Sequence, residues 1–122
     1  MDLRPDQALR RDQRGLPELT EACVILVTAG SEAEAETLAE ALIEERLAAC
    51  VQLMPIRSRY VWKGAVQRDD EVLLLIKTKA ALFEAVRTRV RELHSYETPE
   101  VVMLPMTAAD ADYLAWIAGE TR

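Results

Sequence analysis

The sequence predicts an α+β fold: a four-stranded antiparallel sheet with two helices on one face, a long hairpin between its second and third strands, and an extra C-terminal helix. Three observations predict it. The elements run β-α-β-β-α-β and then a helix, an order that right-handed crossovers turn into the ferredoxin-like sandwich. Segments 22–28 and 71–78 are apolar at consecutive positions instead of alternate ones, as in strands covered on both faces. Two long strands meet at Lys63-Gly64, which makes a hairpin longer than one small domain covers. An uncovered edge of that length invites pairing, so an oligomer is expected.

The elements follow in order. Segment 22–28 (ACVILVT) is short, apolar and rich in β-branched residues, a buried strand. Gly30 ends it. Ser31 and Glu34 have the S-x-x-E spacing of a capping box, in which two side chains satisfy two orphan amides. The helix they open runs to about residue 47, with Ala35, Leu38, Ala39, Leu42 and Ile43 on one stripe. Glu32, Glu36, Glu40 and Glu44 line its solvated face. Segment 48–62 is a long strand, interrupted near Met54-Pro55, since proline cannot donate to a ladder. Gly64 suits the positive φ of a tight turn, and 66–78 returns as the partner strand. A second helix spans 80–93, capped by Thr78 or Lys79, with Leu82, Val86 and Val90 in helical register. HSYETP at 94–99 is a loop, 100–106 a last strand, and Thr107 with Asp110 opens a C-terminal helix to about residue 118.

With 122 residues, one domain is expected. Residues 1–20 carry four arginines, four acids and two prolines without an apolar stripe; they read as a flexible tail, leaving 21–122 as the folded domain. The formal charge is −6, which argues against a nucleic-acid partner, because phosphate neutralisation needs a basic face. No apolar run is long enough to span a bilayer, and the N-terminus lacks a secretory apolar stretch, so a cytoplasmic protein is expected. The two cysteines, Cys23 and Cys50, lie among apolar neighbours and read as small hydrophobes in a reducing compartment.

LAAC at 47–50, Tyr60, Trp62 and Gly64 spaced Y-x-W-x-G, Glu71, Lys77-Thr78, HSYETPE at 94–100 and YLAW at 113–116 occur in that order. This set resembles the CutA divalent-cation tolerance family across residues 22–118. The resemblance implies a ferredoxin-like fold, a homotrimer built through the hairpin and the helix-free sheet face, a link to copper and other divalent cations, and no firmly attached enzymatic activity. It departs at two places. The family's H-P-Y-E segment reads His94-Ser95-Tyr96-Glu97 here. Val27 and Leu93 stand where some copper-binding members have a cysteine and a second histidine.

His94 is the only histidine. Imidazole is a common ligand of copper and zinc, and His94 lies beside Glu97 and Glu100, a set able to bind Cu(II) or another divalent cation weakly. The structural alternative is a histidine that interacts with the last carbonyls of its helix. The resemblance places Trp62, Glu71, Lys77 and Tyr96 near Glu97 in a cleft between subunits, where an acid, a lysine and aromatics suit a small anion or metabolite. Their alternatives are surface charge and packing; for Tyr60 and Trp116 packing across a subunit contact is expected. No Ser-His-Asp set, phosphate loop or H-E-x-x-H motif is present, and Gly30 alone makes no phosphate cradle. A binding protein is expected, either metal-binding or a metabolite sensor resembling other trimeric ferredoxin-like signalling proteins, and not an enzyme.

Overall fold

The computed structural model describes residues 19–122; the expected tail at 1–20 falls almost wholly outside the described residues. Thr20, the last residue of that expected tail, is tied to the folded body. Its backbone N–H donates to the Met106 carbonyl at 3.0 Å, and its hydroxyl donates to the same oxygen at 2.7 Å.

Strand β1 (Ala22–Ala29) is followed by helix α1 (Glu32–Glu44), strands β2 (Cys50–Trp62) and β3 (Ala65–Lys79), a 3-10 turn (Ala80–Leu82), helix α2 (Phe83–Leu93), strand β4 (Val101–Pro105) and helix α3 (Ala111–Glu120). The sheet order is β2-β3-β1-β4, with every pair antiparallel. This is the expected ferredoxin-like topology, with the C-terminal helix added. The register puts Val24, Leu26, Leu73 and Leu75 on one face and Cys23, Ile25, Val27, Leu74 and Ile76 on the other. The second set is fully buried with Leu38, Leu42, Val86 and Val90 from the helices. The first set is half-buried, and Met54, Val102 and Leu104 beside it are exposed.

Several local expectations are corrected. Strand β2 runs unbroken through Pro55, opposite Val72; on an edge strand, proline is tolerated where the missing N–H would face away from the neighbour. Lys63 and Gly64 both have positive φ, 50° and 80°, the geometry of a two-residue hairpin loop that matches strand twist. Thr78 does not cap α2. Its buried hydroxyl donates to the Leu47 carbonyl at 2.7 Å instead, and the helix starts through the 3-10 turn without a side-chain cap. Helix α1 ends at Glu44, short of residue 47, and Ile43, expected on its buried stripe, is exposed. Helix α3 is capped by Asp110 alone, which accepts from the N–H groups of Asp112 and Tyr113. Cys23 and Cys50 are both free thiols, and burial raises the pKa of Cys23. No helix among the described residues is long and apolar enough to cross a membrane.

Candidate functional site

Where β1 ends and the hairpin leaves the body of the sheet, a cavity of about 730 Å³ opens. Thr28, Glu71, Tyr60 and Trp62 form its sheet wall, and the 95–100 segment between α2 and β4 closes the other side. The sheet residues converge because they share one pleat face: Ile56 pairs with Glu71, and Tyr60 and Trp62 follow on the same side of β2.

The loop wall is set by His94. Its side chain is fully buried. Nε2 lies 2.6 Å from the Thr28 carbonyl, and Nδ1 lies 3.0 Å from the Tyr96 backbone N–H. A carbonyl only accepts and an amide N–H only donates, so these two contacts suit a ring that donates through Nε2 and accepts at Nδ1. Glu34 reaches the same corner: Oε1 accepts from the Ser95 N–H at 3.4 Å and lies 3.3 Å from His94 Nδ1. The capping box expected at Ser31 therefore forms by half. Ser31 Oγ accepts from the Glu34 N–H at 3.2 Å, while the Glu34 carboxylate ties the loop.

This geometry sends Tyr96 across the end of β1. Its hydroxyl donates to Glu71 Oε2 at 2.9 Å. A Cβ on Gly30 would stand 2.9 Å from that hydroxyl, closer than carbon and oxygen tolerate, so the glycine makes room for the tyrosine. Burial, then the bond to Glu71, raises the pKa of Tyr96 well above the ordinary phenol value. Tyr60 donates to Asp69, which pushes its pKa up to about 12. Glu71 is 7% exposed, and among the described residues no side chain or amide donates to its Oε1. Glu100 lines the same space; burial, then the negative charge of Glu71, raises its pKa. Glu97 projects outward to the hairpin tip, 3.9 Å from Lys63 Nζ.

Of the residues singled out from the sequence, Trp62, Glu71, Tyr96 and Glu97 line one cavity. Lys77 does not join them within the chain. It lies six positions along β3 from Glu71, a rise of roughly 20 Å, with Nζ 5.5 Å from the Tyr113 ring. His94 borders the cavity as a support. Both ring nitrogens already have partners, so Cu(II) coordination there requires breaking the bond to Thr28 or the bond to Tyr96, and the arrangement does not fit a copper ligand. Among the described residues no three carboxylate, imidazole or thiol side chains converge as a metal site does. The parts that Gly30, Glu34 and Thr28 play at this site are not visible in the sequence, which suggests only a packing role for Tyr60. The one available signal was the register: in an antiparallel hairpin turning at residues 63 and 64, Tyr60 lies diagonal to Asp69.

Comparison with known proteins is consistent across sequence and structure. Residues 23–120 match the family model of the CutA1 divalent ion tolerance protein. The divalent-cation tolerance protein CutA of Thermus thermophilus is 46% identical over 99 residues, covering 80% of this chain and 96% of that protein. The corresponding protein of Pectobacterium atrosepticum is 44% identical over 105 residues, covering 85% and 96%. The crystal structure of CutA1 from Oryza sativa superposes with a TM-score of 0.82 at 40% identity, covering 85% of this chain and 96% of that one.

Proposed function

Because the chain belongs to the CutA1 divalent ion tolerance family, we propose that it is a non-catalytic binding protein, working as a homotrimer, whose cavity beside Tyr96 takes a small ligand. The observation that carries this reading is the Tyr96–Glu71 bond. A buried carboxylate, a tyrosine threaded past Gly30 and a fully buried histidine behind them form a preorganised wall, as ligand sites require. Nothing in that wall is a nucleophile paired with a base.

The metabolite reading is favoured over direct copper ligation by the state of His94, whose two nitrogens are committed to the fold. The acidic wall also disfavours the small anion that the sequence left open. The trimer reading is supported by the half-buried apolar strip of Val24, Leu26, Leu73 and Leu75, with Val102 and Leu104 exposed beside it, since a helix-free apolar face needs cover.

The test is nuclear magnetic resonance titration of the full chain with Cu(II), Zn(II) and a panel of small metabolites including nucleotides. Metabolite-induced shifts should centre on Trp62 and Tyr96. Stoichiometric Cu(II) broadening centred on His94 would favour the copper site instead. Light scattering should return three times the chain mass; a monomer at micromolar concentration counts against the assembly.

A further inference from the structure

We propose that the ligand of this cavity is a small organic ammonium ion, seated between the Trp62 ring and the carboxylates of Glu71, Glu97 and Glu100. The inference rests on reading the cavity as a ligand site and names the class of ligand it takes.

The chain supplies its own example of the interaction. Lys63 Nζ lies 5.7 Å from the centroid of the Trp62 ring and 3.9 Å from Glu97 Oε2. Trp62 and Glu97 both line the cavity, and Lys63 comes from the solvent-exposed hairpin turn. Its ammonium therefore stands beside two groups of the cavity lining, a ring face and a carboxylate. Deeper in, Glu71 gives one oxygen to the Tyr96 hydroxyl and opens the other to the cavity, and Glu100 lines the same space, near enough for the two negative charges to oppose each other. A cation between them relieves that repulsion.

The other charges fit the same reading. Arg59, the one basic residue lining the space among the described residues, donates through Nη1 to the Ser58 carbonyl at 2.9 Å and is not paired with a cavity carboxylate. The acids do not converge closely enough to form a metal site, and an inorganic dication needs several oxygens at short range. An ammonium on a carbon body instead uses spaced carboxylates for its charge and aromatic walls, here Trp62, Tyr60 and Tyr96, for its methylenes. A volume of about 730 Å³ admits a body of metabolite size.

The experiment is calorimetric titration of the full chain with putrescine, choline, succinate and Zn(II). Putrescine or choline should bind and succinate should not. Glu97→Gln should weaken amine binding severalfold. Lys63→Met, which removes the resident ammonium and keeps its stem, should tighten it roughly two- to fivefold. Arg91→Met makes the same charge change at an exposed position on α2 and should leave affinity unaltered. Succinate binding, Zn(II) binding stronger than either amine, or equal gains from the Lys63 and Arg91 variants would each overturn the ammonium assignment while leaving a ligand site. No binding by any probe, with no resonance of Trp62 or Tyr96 disturbed by a wider metabolite panel, would overturn the site and the assignment together.

Discussion

The two ends of the sheet use polar side chains in opposite ways. At the end where β1 begins, apart from the Arg89–Glu45 ion pair on the helices, they bond to backbone. Thr78 donates to the Leu47 carbonyl, Arg46 donates to the Gly119 and Glu120 carbonyls at the end of α3, and Thr121 donates to Ile117. At the end where β1 stops, polar side chains bond to one another: Tyr96 to Glu71 and Tyr60 to Asp69, with the Glu100 carboxylate beside Glu71. A side chain satisfied by backbone closes a fold and has no capacity left for a ligand. Side chains satisfied by each other, facing open space, can exchange partners. On the proposed reading the first end is a lock and the second a receptor, although both are built on the same three strands.

His94 is the hinge of this contrast, because it belongs to the receptor end and bonds like the lock end. Replacing His94 by Ala empties a fully buried position and orphans the Thr28 carbonyl. The expected loss is about 2–4 kcal/mol, the largest effect predicted, read by urea unfolding, together with disturbed Tyr96 resonances. If stability fell and Tyr96 stayed in place, His94 would be a packing residue and the contrast would blur. Thr78→Val sharpens it from the other side. The swap keeps the shape and leaves the Leu47 carbonyl unpaired, so a loss of about 1–3 kcal/mol is expected, with ligand binding at the far cavity unchanged.

The same contrast explains how much was legible in the sequence. Element order, both-face apolar strands and the Lys63-Gly64 turn identify the sandwich, because periodicity and turn chemistry are local signals. The helix starts were only partly legible: Thr78 looks like a cap, and its hydroxyl finds the Leu47 carbonyl, 31 positions away. Trp62, Glu71 and Tyr96 were found together through their motif order. The role of His94 was not, since a lone histidine beside two glutamates reads equally as a ligand or as a support. Only the position of the Thr28 carbonyl, 66 residues away in the chain, decides between them. Gly30 is the same kind of case: its missing side chain matters only because Tyr96 passes over it.

The smallest predicted effect concerns charge alone. Burial and then the neighbouring Glu71 raise the pKa of Glu100, so the folded state holds this proton more tightly than the unfolded chain does. Such a group favours folding while it is protonated, below the ordinary carboxylate range. That contribution is lost as pH rises through the raised value. Glu100→Gln, which cannot ionise, should therefore be slightly more stable than the parent at neutral pH, and the gap should shrink as pH falls below 5. The difference should be small, because Glu100 is largely exposed and solvent screens its charge. Thermal unfolding of the two proteins between pH 4 and 8 checks the sign. An added ammonium ligand should narrow the neutral-pH gap by stabilising the parent more than the variant, as it would supply the counter-charge that Glu71 and Glu100 lack. A gap of opposite sign, or one that does not change with pH, would place Glu100 outside the electrostatics of the receptor end.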